Sequence, residues 1–165
     1  MSSELIRRHA ALVEAAAARI FPTTSTPGAT EAGAASYIRR LLAEAYPGLL
    51  PLYRSGCRAL DRHAKRRFGK GFLGIAAAGQ DEVLSDFEAG RVPGFSRASQ
   101  FFETLLEHTM EGVLGEPAYG GNRGLVGWRA RRPLRDGPRR HSHDRPLRGY
   151  PCQCVYRAER RLAHG

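Results

Sequence analysis

The sequence predicts an all-α protein: one small helical domain of about five helices with irregular loops, followed by a basic C-terminal tail expected to be disordered. Three observations lead there. Apolar residues recur at three- and four-residue spacing in several separate stretches, the period of a helix with one buried face. No stretch of useful length alternates apolar and polar residues, so no strand is expected. A chain of 165 residues rich in Leu, Ile, Val, Ala and Phe can also bury one core without a metal or disulfide staple.

The elements run in order along the chain. Residues 3–20 read as a first helix with Leu5, Ile6, Leu12, Val13, Ala16 and Ile20 on its apolar face, ended by Phe21-Pro22. After a Thr/Ser loop, Thr26 is placed to cap a second helix with Pro27 at its first position, running to about Ala45 and burying Tyr37, Ile38, Leu41 and Leu42. Pro47-Gly48 separates it from a third helix over 49–68, whose stripe is Leu49, Leu52, Tyr53, Gly56, Cys57, Leu60, Ala64 and Phe68. Its basic last turn, Lys65-Arg66-Arg67, suits the negative end of the helix dipole. A glycine-rich connection spans 69–79, and a short helix over 80–89 buries Val83, Leu84 and Phe87 before Gly90 stops it.

The last helix carries the strongest pattern. With Ser96 as N-cap, Phe101, Phe102, Leu105, Leu106, Thr109, Met110, Val113 and Leu114 recur as adjacent pairs every four residues. Gln100, Glu103, Thr104, Glu107, His108 and Glu111 are assigned to the opposite, polar face.

The formal charge of +10 has the sign of a nucleic-acid binder, but its distribution does not fit one. Residues 129–165 carry 11 Lys+Arg against 3 acids, leaving the preceding 128 residues at +2. Three cysteines make no disulfide framework, and Cys57 lies within an apolar pattern as a small buried hydrophobe. No run spans a bilayer. Arg7-Arg8 has the look of a twin-arginine signal, yet Glu14 and Arg19 interrupt the stretch after it and no cleavage site appears. The chain is therefore expected to carry no export signal, and to be cytoplasmic if unescorted.

After the last helix, Tyr119-Gly120-Gly121-Asn122-Arg123-Gly124-Leu125-Val126-Gly127-Trp128 loses all periodicity. Glycines this close to two large rings imply a backbone turning sharply beside them, with Gly120-Gly121-Asn122 able to supply positive-φ positions. Two readings stay open: a surface loop whose aromatics plug the core, or a shaped loop presented to a partner.

Two blocks carry a family resemblance. The first is His108-Thr109-Met110-Glu111-Gly112, then Pro117-Ala118-Tyr119-Gly120-Gly121-Asn122, then Gly127-Trp128; the second is the stretch from Ile20-Phe21-Pro22-Thr23 through Pro27-Gly28-Ala29-Thr30-Glu31-Ala32-Gly33. Together they resemble the gluconate 2-dehydrogenase subunit 3 family over about residues 3–128. That resemblance implies a non-catalytic accessory subunit of a membrane-bound, flavin-dependent sugar or sugar-acid dehydrogenase. It would bind the large flavoprotein subunit, help it mature, and meet a cytochrome c subunit only indirectly. No cofactor is expected in this chain, with FAD and haem residing in the partner subunits. The implied location is periplasmic and inner-membrane-associated, without a direct membrane span. The candidates for contacting the partner or for fixing the loop are His108 and Glu111 on the helix face and Tyr119, Gly120, Gly121, Asn122 and Trp128 in the segment after it; no catalytic or metal residue is expected.

The chain departs from the pattern after Trp128, where an Ile-Gly-(aromatic)-Pro-Gly-like continuation is replaced by Arg129-Ala130-Arg131-Arg132-Pro133-Leu134-Arg135. Residues 1–128 are thus read as the domain and 129–165 as an Arg/Pro-rich tail, expected to be disordered and consistent with a shifted reading frame in GC-rich DNA. Cys152-Gln153-Cys154 with His141, His143 and His164 matches no standard zinc spacing. The Glu103, Glu107, His108, Glu111 stripe lacks the paired Glu-x-x-His motifs of a carboxylate-bridged metal centre. Gly69-Lys70-Gly71 is too short for a phosphate loop. The alternative function is a small nucleic-acid-binding protein using the basic tail as a phosphate-contacting arm.

Overall fold

The computed structural model describes residues 3–130, which fall within one compact unit. The tail with its proposed disorder and frame shift, and the Cys152, Cys154 and histidine set, lie outside the described residues. Seven α-helices are present among them: α1 (Ser3–Ile20), α2 (Ala29–Ala32), α3 (Ala34–Glu44), α4 (Leu50–Phe68), α5 (Ala77–Glu88), α6 (Ala98–Leu114) and α7 (Val126–Ala130). Short 3-10 turns at Pro47–Leu49, Phe72–Gly74, Pro117–Tyr119 and Arg123–Leu125 join them. The described residues contain no strand, and none of their helices is long and apolar enough to cross a membrane. The all-α class is as expected, and the five long helices are those the periodicity predicts.

The second expected helix is in fact two. The chain bends at Gly33, which adopts φ 75°, so α2 and α3 meet at an angle rather than continuing. Thr26 does not cap it. The N-cap is Gly28, whose backbone N–H donates to the Glu31 carboxylate at 2.9 Å, while the Thr23 hydroxyl donates to the same carboxylate at 2.8 Å. The Glu31 N–H first, then the Thr23 and Gly28 donors, hold this carboxyl below its ordinary pKa. Gly28 is required because a Cβ there would lie 2.5 Å from the Thr23 nitrogen and 2.7 Å from the Phe21 carbonyl oxygen. The Thr/Ser loop folds back on Gly28, and that close approach decides where the helix begins.

α4 buries Leu52, Tyr53, Gly56, Cys57, Leu60 and Ala64 as the stripe predicts, and Gly69 ends it at φ 72°. Phe68 does not complete the stripe; it is partly exposed beneath the Arg67 guanidinium, 5.4 Å from its ring centre. The glycine-rich connection is more ordered than a loop: Phe72 is fully buried, with its N–H donating to Asp61 and its carbonyl accepting from Gln80. α5 consequently starts at Ala77 rather than 80. α6 starts at Ala98, with Arg97 at the cap position expected for Ser96.

The main core gathers Leu12, Ile38, Leu52, Leu60, Phe72, Val83, Phe87, Phe101 and Leu105. Phe101 stands edge-on to both Tyr53 (5.7 Å) and Phe87 (5.8 Å), the arrangement aromatic quadrupoles favour. Gly56 lets α4 approach this ring; a Cβ there would overlap Phe101. A second, smaller core consists of Ala17, Ala29, Ala32, Ala34 and Val113, flanked by Phe21, Leu114 and Val126. It joins the two sequence blocks that carry the family resemblance.

Candidate functional site

The site forms where α6 ends. An α-helix leaves its last carbonyls without intrahelical donors, and here the returning chain supplies them. The Asn122 N–H donates to the Gly112 carbonyl at 2.6 Å, and the Asn122 amide donates to the Gly115 carbonyl at 2.9 Å. Trp128 Nε1 donates to the Leu114 carbonyl at 2.7 Å. Asn122 Oδ1 in turn accepts from the Gly127 N–H at 2.9 Å, close to the start of α7. One side chain therefore closes the end of α6 and fixes the next helix. Its backbone sits in the left-handed region at φ 43°, which asparagine tolerates better than most residues.

The glycines have particular reasons. A Cβ at Gly121 would overlap the Gly112 carbonyl oxygen, and one at Gly127 would overlap that of Val113. At Gly112 a Cβ would lie 2.9 Å from the Ala34 Cα, so this glycine lets α6 press onto α3. Gly120 supplies the positive φ, at 92°.

Burial sorts these residues and corrects one expected placement, that of His108. Gly121 and Asn122 are buried, where they shape the loop. His108 is not on the exposed face of α6: it is buried, its Nδ1 shares a 2.9 Å hydrogen bond with the Tyr53 hydroxyl, and the Tyr53 and Tyr46 rings lie nearly parallel to its own. Tyr119 and Trp128 do not plug the core, being 61 % and 45 % exposed.

The expected residues His108, Glu111 and Tyr119 nonetheless come together, with Tyr37, Tyr46 and Tyr53 added from α3, the segment after it and α4. The Tyr37 hydroxyl donates to Glu111 at 3.1 Å. Burial foremost, then the Glu111 carboxylate, raise the Tyr37 pKa, with smaller contributions from Tyr46 and Tyr119. Burial raises Glu111 as well, the Tyr37 bond opposing it. It lowers His108, against the pull of Glu107. No local pattern marks Tyr46, because the ring it stacks on, His108, is distant in the chain. Arg40 fastens the 3-10 turn from the other side, Nη1 donating to the Ala118 carbonyl at 3.3 Å.

Tyr119, Leu125 and Trp128 are three of the six exposed large hydrophobic side chains among the described residues, and all three lie on this one segment. Leu125 is held at φ 59°, a region that costs an L-residue about 1–2 kcal/mol. Among the described residues no group of three or more His, Cys, Asp and Glu side chains could hold a metal ion. Fold and site together define a small helical protein whose distinctive residues build a fixed, partly apolar surface.

A family model, gluconate 2-dehydrogenase subunit 3, matches residues 7–132. The chain belongs to that family. Comparison with curated proteins and with solved structures returned no match.

Proposed function

We propose that the protein is a non-catalytic accessory subunit of a flavin-dependent gluconate or sugar dehydrogenase complex, and that it binds the flavoprotein subunit and helps it mature. Family membership supports the association with a dehydrogenase. The observation that carries the binding role is the loop after α6, stapled by Asn122 yet holding Tyr119, Leu125 and Trp128 in solvent. Large apolar groups on a rigid loop lose little entropy on docking, and aromatic side chains dominate interface energetics. Keeping Leu125 exposed in a strained conformation is a cost that folding does not require. His108 and Glu111 then act from beneath, supporting Tyr46 and Tyr37, while Tyr119 and Trp128 touch the partner.

In this reading FAD and haem reside in the partner subunits, the cytochrome c subunit is reached only through the flavoprotein, and the complex is periplasmic and inner-membrane-associated. The test is co-expression with the large flavoprotein subunit of a gluconate or sugar dehydrogenase from the same genome, followed by size-exclusion chromatography and measurement of bound FAD. The expected result is a stable complex, with FAD loading of the flavoprotein reduced when this chain is omitted. Leu125→Gly should raise the melting temperature by relieving the positive φ, yet weaken the complex at least tenfold. A flavoprotein that loads fully and never associates with this chain would overturn the proposal.

A further inference from the structure

We propose that the groove between α1 and α4 is a binding site for a doubly charged phosphate group, a phosphomonoester or pyrophosphate. The groove has a volume of about 380 Å³, within the range of small-ligand sites. Leu12 and Cys57, both almost fully buried, back its wall. Its charged lining is Arg8, Arg58, Arg62 and Lys65 against the single acid Asp61. Asp61 is already occupied: it accepts from Arg8 at 2.7 Å, from Lys65 at 3.1 Å and from the Phe72 N–H. The lining therefore keeps an excess of three positive charges.

The arrangement is not one that folding asks for. Arg54, Arg58, Arg62 and Arg66 recur every fourth residue on α4, so like charges sit one turn apart, which destabilises a helix. Arg54, Arg58 and Arg62 make no ion pair among the described residues, so no acid offsets this repulsion. His9 also lines the groove, and burial first, then the charges of Arg58, Arg54 and Arg8, lower its pKa.

Several guanidinium groups converging on one concavity match a multiply charged oxyanion better than a single carboxylate, because each fork offers paired N–H donors to phosphate oxygens. Both a soluble phosphate compound and a phospholipid headgroup carry this chemistry. Among the described residues the site is separate from the loop after α6: its α1 residues lie before Ala17, which packs in the smaller core beside Val113.

The experiment uses the full chain and the Arg58→Glu, Arg62→Glu double variant, both side chains lying outside the core so that the fold is kept, as circular dichroism would verify. Pyrophosphate is titrated while the ring resonances of His9, identified through His9→Gln, are followed by NMR, and the double variant separates binding in the groove from binding elsewhere on the chain. The wild type should show a saturable His9 shift with pyrophosphate, weakened at least tenfold in the double variant. Sedimentation with vesicles containing phosphatidic acid, against pure phosphatidylcholine, assigns the source. A His9 response to pyrophosphate indicates a soluble ligand; a response to phosphatidic acid vesicles alone indicates a headgroup. No response to either, or equal affinity in the double variant, would overturn the proposal. So would a groove that ignores both and binds duplex DNA through the same arginines.

Discussion

Asn122→Ala should be among the most damaging single substitutions in the protein. The residue is fully buried, and its side chain makes two hydrogen bonds of 2.9 Å, one to the Gly115 carbonyl and one from the Gly127 N–H. Truncation leaves the buried Gly127 N–H without a partner, at a cost of about 2 kcal/mol, and removes the less buried bond to Gly115 for about 1 kcal/mol more. Alanine at φ 43° adds roughly 1 kcal/mol relative to asparagine. The total, about 4 kcal/mol, is a large share of the stability of a domain this size and corresponds to a fall in Tm of roughly 15 °C. Urea unfolding followed by circular dichroism and by fluorescence of Trp128, the single tryptophan, measures it. Both probes should shift together, because Val113, Leu114 and Val126 tie the loop to the smaller core. Asn122→Gly keeps the left-handed backbone at no steric cost and should recover the last 1 kcal/mol or so. A loss below about 1 kcal/mol for Asn122→Ala would refute the claim that this side chain fixes the loop.

The packing and the charges set four further expectations. Gly56→Ala drives a methyl into the Phe101 ring and should cost about 1–3 kcal/mol in chemical denaturation, with a gain in stability counting against the close α4–α6 approach. Thr109 is fully buried with a hydroxyl lacking any hydrogen-bond partner among the described residues, so Thr109→Val should be neutral or stabilising by up to about 1 kcal/mol; a clear destabilisation would reveal a partner for that oxygen. Glu111 has a raised pKa in the folded state, so the folded form binds more protons just above the ordinary value of 4.5 and stability falls as pH rises through that window. Glu111→Gln should therefore be the more stable protein at pH 7 and lose that advantage in acid, as paired melting curves would show. His108 has a lowered pKa, so the unfolded chain takes up its proton first and stability should decline as pH falls below 6.5; His108→Gln should flatten that part of the profile.

Helix existence is legible in the sequence because burial of one face imposes a period that survives any rearrangement of neighbours. The pairs from Phe101 to Val113 and the stripe from Leu52 to Ala64 are both such cases. Helix ends are less legible. Thr26-Pro27 has ideal cap chemistry, yet the cap is Gly28, because only the folded chain brings Pro22 and Thr23 against that position. His108 departs from its expected face for a related reason. A polar ring suggests solvent, but Tyr53, 55 residues earlier, offers a hydroxyl at 2.9 Å that makes burial tolerable.

The sequence by itself determined the class, the long helices, and the two blocks that mark the family, since local periodicity and residue type suffice for these. Only the tertiary structure decided how those blocks are used. It joins them in one small core of alanines and Val113, turns the glycines into points of close backbone approach, and buries Asn122 while leaving Tyr119 and Trp128 outside. The reason is physical: whether a side chain is buried depends on atoms brought from distant parts of the chain, and no local pattern records which those will be.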